Sequence, residues 1–330
     1  MRASYSAAMA LSLADLFASP DHYLHSFDGN AAVFVPMDRA SYHRSIFLDG
    51  RIAPAGEGEM RIPLPTLGAP PAPQPTSWIF HVAHCGSTLL ARALDQLEAN
   101  LVLREPLALR QCAIAPDPRR LALATAMISK RYRGDAPTIV KANVPVNFIL
   151  PDLVALDPQA RVIFLHLGLR DYLLAILRSE NHREWLGRVT AQLAPYLGDL
   201  SRLTDAQRAA ALWAAQTHAF AKAIAALPNA RALDAEIFFA DPRTVLEASA
   251  SHLGAAITAA DIDRCVAGPL FATYSKNPDV AFDNQARVAR RTELETQLAD
   301  SLEEGRLWAA RSAERVGSDE AALAARRLLA

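Results

Sequence analysis

The chain has 330 residues, of which 51% are hydrophobic and 21% are charged, so it can bury a large core and form one main domain. Its formal net charge of −1 leaves no overall field that would attract nucleic acid or an anionic membrane surface. Three scattered cysteines fit neither a disulfide framework nor a zinc site, which predicts a reducing, cytoplasmic environment and no bound metal.

The first part of the chain, residues 1–62, is predicted to be a small β-containing elaboration. Strands are expected over Ala31–Val35 and near Ile46–Leu48, because apolar runs there lie close to Asp-Gly turns. Residues 63–75 are rich in proline and poor in side chains that pack, which is typical of an extended linker. The main domain then covers residues 76–330.

In the main domain, short apolar runs alternate with helical patterns. The runs that predict strands are Trp78–Ala83, Leu101–Leu103, Thr138–Lys141, Arg161–His166 and Arg231–Asp234. This alternation predicts an α/β fold, with a parallel sheet covered by helices on both faces. Ligands bind at the carboxyl ends of such strands, so the loops after the first four strands should converge on one site. A long charged C-terminal helix is expected over 287–314.

The connection between the first strand and its helix is the most informative segment, and it reads His84-Cys85-Gly86-Ser87-Thr88. The first N–H groups of a helix have no intrahelical acceptor and carry partial positive charge, so this turn favours a phosphate or a sulfate. Gly86 keeps the backbone approachable, and Ser87 and Thr88 add hydroxyl donors. The alternative is an ordinary turn capped by Ser87 or Thr88.

Two known chemistries fit this loop poorly. A Walker A loop requires a glycine and a lysine where this chain has His81 and Ser87, so an ATP- or GTP-hydrolysing engine is not expected. A Cys-dependent phosphatase would use Cys85 as nucleophile and Arg92 as phosphate ligand. The spacing between them is one residue too long, which leaves the phosphatase as a minor alternative.

The loop and the segments after it resemble the sulfotransferase family, whose P-loop-like fold binds 3′-phosphoadenosine 5′-phosphosulfate. The family's loop motif, Lys/Arg-x-Gly-Ser/Thr-Thr, is similar to residues 84–88, and its Lys/Arg-Glu pair after the second strand is similar to Arg104-Glu105. A later strand preceded by a basic residue is similar to residues 161–166, and a strand–acid–helix segment ending in Leu-Gly is similar to residues 233–236 followed by residues 241–254. The resemblance implies sulfuryl transfer to a hydroxyl or amine acceptor.

On this resemblance, His84 stands where the family has a lysine or arginine and donates to the bridging oxygen of the donor, while Glu105 is the general base. A helix N-terminal role is the alternative for Glu105. The loop residues Cys85, Gly86, Ser87 and Thr88 would bind the 5′-phosphate.

The family's 3′-phosphate ligands, an arginine and a serine, fall on Leu167 and Ala175, whose side chains cannot hydrogen-bond. Basic and hydroxyl side chains nearby are the remaining candidates for binding the nucleotide: Lys141, Arg170, Arg178, Ser179, Lys276 and Arg287. Solvated surface positions are the alternative for several of them. A non-catalytic binding protein with the same fold is therefore the main alternative function, and the acceptor stays open among peptides, sugars, lipids and phenols.

Overall fold

The computed structural model describes residues 12–329. Residues 1–11 of the predicted elaboration and residue 330 lie outside this range. The N-terminal part is a three-stranded antiparallel sheet of order β1-β2-β3. Its strands and helices are β1 (His22–Asp28), β2 (Ala31–Pro36), β3 (Met60–Pro63), α1 (Leu13–Ala18), α2 (Arg39–Arg44) and α3 (Leu64–Leu67). The predicted strand over 31–35 is thus present as β2, whereas β1 and β3 were not predicted.

The strand predicted near Ile46–Leu48 is wrong, because this segment wraps around the buried guanidinium of Arg104. The carbonyl oxygens of Ser45 and Ile46 accept hydrogen bonds from that guanidinium, and the Leu48 N–H donates to the Arg104 carbonyl at 2.8 Å. These contacts turn the backbone away from a strand ladder. The guanidinium also pairs with the buried carboxylate of Asp95.

The main sheet has five parallel strands in the order β5-β6-β4-β7-β8. The strands are β4 (Thr76–His81), β5 (Val102–Arg104), β6 (Thr138–Lys141), β7 (Val162–His166) and β8 (Ala230–Asp234). All six residues of the central strand β4 are buried. The predicted α/β fold with a parallel sheet flanked by helices is confirmed.

Helices connect these strands and continue after β8. They are α4 (Ser87–Leu94), α5 (Leu107–Ile114), α6 (Pro118–Ile128), α7 (Leu150–Leu156), α8 (Leu169–Leu177), α9 (Glu180–Gln192), α10 (Ala194–Leu197), α11 (Asp205–Ala226), α12 (Ala235–Ala240), α13 (Pro242–Leu253), α14 (Ala259–Ala267) and α15 (Pro269–Ala272). A 3-10 turn, Val144–Ile149, precedes α7. Right-handed crossovers that leave the sheet in opposite directions put α4 and α11 on opposite faces. Accordingly α4 packs with α13 and α14, whereas α11 packs with α8 and α9.

Two hydrophobic clusters hold the chain together. The larger one surrounds the main sheet, where Phe80 stacks on Phe164 and Phe164 on Phe220 at ring-centroid distances of 5.6 and 4.7 Å. The smaller one joins the N-terminal sheet to α5 and α6, with Phe27 and Met127 among its buried side chains. The N-terminal part therefore shares its core with the main domain.

The C-terminal segment is divided into a β-hairpin and three helices, so the single long helix predicted over 287–314 is wrong. They are β9 (Thr273–Tyr274), β10 (Asn277–Ala281), α16 (Asn284–Gln297), α17 (Ala299–Ala310) and α18 (Ala313–Ala324). Leu298 separates α16 from α17; both helices pack against α8, and α17 packs in addition against α11. Within residues 12–329, no helix is both long enough and apolar enough to cross a bilayer.

Candidate functional site

The loop after β4 lies at the point where the strand order reverses. From β4 the chain proceeds to β5 and β6 on one side, and later to β7 and β8 on the other. In open parallel sheets, ligands bind in the crevice at the carboxyl ends of the strands at such a point. Three residues of this loop have left-handed backbone, with φ of 76° at Ala83, 52° at His84 and 80° at Gly86. Non-glycine residues in this region store strain, which is typical of functional sites.

The backbone N–H groups of this loop are free to bind a ligand. Within residues 12–329, no oxygen or nitrogen atom of the protein accepts a hydrogen bond from the N–H groups of residues 84–89, although the Ser87 N–H is hydrogen-bonded to the sulfur of Cys85. Helix α4 begins after Gly86 without any side-chain cap, so the alternative of a turn capped by Ser87 or Thr88 is wrong. Successive free N–H groups at a helix N-terminus form a concave site for an anion.

Glycine is required at position 86 by the left-handed backbone conformation and by the close approach of the Phe239 ring. An added Cβ atom would lie 2.8 Å from Cζ of Phe239, closer than real Cβ contacts. The Phe239 ring therefore packs directly against the loop and forms one wall of the site. On this ring lies the guanidinium of Arg287, whose Cζ is 4.3 Å from the ring centroid.

The loop opens into a cavity of about 670 Å³. Its walls come from α8, α12, α16 and the β9–β10 hairpin, and its lining includes His84, Ser87, Arg178, Lys276, Glu236 and Arg287. Lys276 lies in the two-residue turn of the hairpin, next to Ser275, whose carbonyl accepts a hydrogen bond from Arg92 of α4 at 2.7 Å. This hydrogen bond attaches the hairpin to the helix that follows the loop.

Two cations of the cavity are not neutralised. In the described part of the chain, neither Arg178 nor Lys276 lies within ion-pair distance of a carboxylate. Both side chains retain solvent-exposed surface, and partial desolvation lowers the pKa of each. Because a negatively charged ligand would compensate these charges, the cavity favours an anion beside the free N–H groups.

Glu105 and Lys141 meet at the same edge of the sheet, since the parallel register places Lys141 opposite Arg104. Lys141 is fully buried and its ammonium forms an ion pair with the Glu105 carboxylate. The Glu105 side chain is 18% exposed, and its backbone φ is 58°. Burial alone would raise the pKa of Glu105, but the charges of Lys141 and Lys276 outweigh it and lower the pKa. Glu105 is therefore ionised, and the anion that pairs with Lys141 is Glu105 itself. Glu105 does not line the cavity described above.

His84 is in contact with other aromatic side chains. Its ring stacks on His182 at a centroid distance of 3.9 Å and meets Trp185 edge-on at 5.1 Å. Burial, followed by the charge of Lys276, lowers the pKa of His84 well below its usual value. The imidazole is thus neutral at neutral pH and can donate one hydrogen bond, but it does not carry the charge of the family's lysine or arginine.

Not every predicted ligand lies at the cavity. Arg170 is 57% exposed and pairs with Glu295, and Ser179 precedes α9; neither lines the cavity. Three further predicted site residues do not line it either: Cys85, Glu105 and Lys141. Leu167 and Ala175 do line it, and they contribute only apolar surface.

The thiol of Cys85 is fully buried and is 3.8 Å from the Leu165 carbonyl oxygen. Burial raises the pKa of this thiol. A buried, protonated thiol is a poor nucleophile, and Cys85 does not line the cavity.

The sequence did not single out Glu236 or Phe239 as parts of the site. Both follow β8, whose carboxyl end meets the same edge of the sheet, so applying the strand-end rule to the fifth strand would have found them. Among residues 12–329, no group of three or more His, Cys, Asp or Glu side chains could hold a metal ion.

No protein-family model matches this chain, and no curated protein sequence matches it. Among solved structures, the chain is similar to a sulfotransferase from Alicyclobacillus acidocaldarius. The similarity covers 72% of this chain and 96% of that chain, at 14% sequence identity and a TM-score of 0.38. At this level of similarity, the function has to be argued from the site itself.

Proposed function

We propose that this protein is a sulfotransferase that moves a sulfuryl group from 3′-phosphoadenosine 5′-phosphosulfate to a hydroxyl or amine acceptor. The observation that carries the proposal is that the loop with free N–H groups at residues 84, 86, 88 and 89 lines the same cavity as Arg178 and Lys276. The cavity volume, about 670 Å³, lies in the range of small-molecule and cofactor sites.

The loop and the hairpin would act on the donor. The N–H groups around Gly86 and the hydroxyls of Ser87 and Thr88 bind the 5′-phosphate, and the ammonium of Lys276 offsets the negative charge that develops on it. Neutral His84 donates its N–H to the oxygen that bridges phosphorus and sulfur. Catalysis of the transfer of a negatively charged group from a phosphate to an acceptor depends mainly on such positioning and charge stabilisation.

Glu105 would act on the acceptor. As the acceptor oxygen or nitrogen bonds to sulfur, the bond between sulfur and the bridging oxygen breaks, and the acceptor proton passes to the Glu105 carboxylate. Lys141 holds that carboxylate in place through their buried ion pair. Lys141 is thus a positioning residue rather than a ligand of the donor.

A binding protein without catalysis is the second candidate, and one observation favours it. The ion pair with Lys141 lowers the pKa of Glu105, which makes the carboxylate a weaker base. In this case the loop would still bind the nucleotide, but no group would be transferred. For either function we propose a reducing, cytoplasmic location, since Cys85, Cys112 and Cys265 are free thiols.

Calorimetric titration with adenosine 3′,5′-bisphosphate, the product of the donor, tests the proposal. We expect binding to the wild type and to Cys85→Ser, and we expect a transfer assay with a panel of phenol, sugar and amine acceptors to give product that Glu105→Gln abolishes. Binding without transfer to any acceptor would favour the binding protein. Absence of binding would refute the sulfotransferase, and phosphate-ester hydrolysis lost in Cys85→Ser would favour the phosphatase instead.

A further inference from the structure

Two arginines and a glutamate form a hydrogen-bonded cluster in the wall of the cavity. The two terminal nitrogens of Arg287 each donate to one carboxylate oxygen of Glu236 at 2.9 Å, and Arg291 donates to the same carboxylate at 3.0 Å. All three residues line the cavity into which the loop opens. We refer to Arg287, Glu236 and Arg291 as the Arg–Glu–Arg cluster.

The Arg–Glu–Arg cluster is one aromatic ring away from the loop. The Phe239 ring packs against Gly86, and the Arg287 guanidinium lies over the same ring. Asn284 fixes this arrangement, because its amide donates to the Phe239 carbonyl at 3.0 Å and accepts from Nε of Arg287 at 2.8 Å. A nucleotide with its 5′-phosphate on the loop would therefore present its ribose near these guanidiniums.

The cluster differs from the loop in its charge. Arg291 also pairs with Asp171 and Glu295. Glu295 pairs in addition with Arg170, so three guanidiniums face three carboxylates and the formal charges cancel. A phosphate gains the charge of Arg287 and Arg291 only by displacing Glu236 from them. A carboxylate in this place can accept a hydrogen bond from a ribose hydroxyl. In dinucleotide sites, an acidic residue likewise binds the ribose hydroxyl, whereas an arginine accommodates a phosphate on the ribose.

We propose that Glu236 sets how strongly this site distinguishes nucleotides that carry a 3′-phosphate from nucleotides with a free 3′-hydroxyl. The carboxylate occupies both arginines, and the neighbouring Leu167 and Ala175 offer no polar side chain, so the 3′-phosphate adds little affinity. The inference rests on the proposed function, because it assumes that a nucleotide binds with its 5′-phosphate on the loop.

The test compares adenosine 3′,5′-bisphosphate with adenosine 5′-phosphate by calorimetry. For the wild type we expect the two dissociation constants to differ by less than about tenfold, since a full set of charge-assisted hydrogen bonds would give about ten- to hundredfold or more. In Glu236→Gln, the affinity for the bisphosphate should rise by about tenfold or more, while that for the monophosphate stays within about threefold.

Glu303→Gln is the matched control, because Glu303 pairs with Arg306 on the same helix, is 53% exposed, and neither residue lines the cavity. It removes the same charge and should leave the ratio of the two affinities unchanged. Adding Arg291→Gln to Glu236→Gln should reverse the gain for the bisphosphate.

Two results would overturn the inference and leave the proposed function standing: a wild-type preference for the bisphosphate above about tenfold, or an unchanged ratio in folded Glu236→Gln. The wild-type ratio needs no variant, so the test does not depend on how well Glu236→Gln folds. If neither nucleotide binds to the wild type, the proposed function fails and the inference fails with it.

Discussion

Gly86→Ala tests whether the loop is as tightly built as its contacts indicate. The new methyl group would lie 2.8 and 3.2 Å from two ring carbons of Phe239, at a position where φ is 80°. A left-handed conformation costs an alanine about 1–2 kcal/mol relative to glycine. Overpacking of this kind costs a further 1–3 kcal/mol or so. We therefore expect the free energy of unfolding to fall by about 2–5 kcal/mol.

Gly29→Ala is the matched control, because Gly29 also has a positive φ, 54°, but no atom lies within 4 Å of its added Cβ. It should lose only the backbone contribution, about 1–2 kcal/mol. Urea denaturation followed by far-ultraviolet circular dichroism measures both losses. Calorimetry with adenosine 3′,5′-bisphosphate should in addition show weaker binding for Gly86→Ala and unchanged binding for Gly29→Ala.

The contact with Phe239 can be isolated by a double-mutant cycle with Phe239→Leu, which shortens the side chain that meets the new methyl group. The two substitutions together should cost less than the sum of the single losses. If Gly86→Ala is no more destabilising than Gly29→Ala, or if the losses in the cycle are additive, the Phe239 ring is not in direct contact with Gly86.

Three further predictions concern the charges of the protein. Lys276→Ala should weaken binding of adenosine 3′,5′-bisphosphate by about ten- to hundredfold in calorimetry, whereas Lys222→Ala, on an exposed face of α11, should not change it. The pKa of His84 is lowered well below its usual value, so the imidazole stays neutral at neutral pH and above; the affinity for adenosine 3′,5′-bisphosphate should therefore not depend on protonation of His84 there, and calorimetric titrations of His84→Asn should show the same pH profile as the wild type. The partners of Asp95 lower its pKa to about 2 despite burial. Its contribution to the free energy of unfolding should therefore be complete at pH values above the ordinary pKa of an aspartate and should be lost as pH falls toward 2. Asp95→Asn should lower the free energy of unfolding by about 3–5 kcal/mol in urea denaturation, because it leaves the Arg104 guanidinium buried and unpaired, and a loss below about 1 kcal/mol would contradict this reasoning.

The strands of the main sheet were predictable because their signal is local. Short apolar runs separated by helical patterns define buried parallel strands whatever their neighbours are, and the run Thr138–Lys141 has the same bounds in the structure. The segment Ile46–Leu48 was not predictable in the same way. The segment is apolar, but its backbone wraps around the guanidinium of Arg104, a residue of β5 that is far away in the sequence.

The sequence by itself determined the α/β class and the order of the strands along the chain, since these follow from periodicity. It also predicts an anion-binding loop at residues 84–88, from glycine and hydroxyl residues at a helix start. Only the tertiary structure decided which side chains meet there. It brings Lys276 to the cavity beside the loop, pairs Lys141 with Glu105, stacks His84 on His182 and places Glu236 between two arginines. The physical reason is that contacts between residues distant in sequence, and the desolvation and charges that shift their pKa values, arise only when the elements pack together.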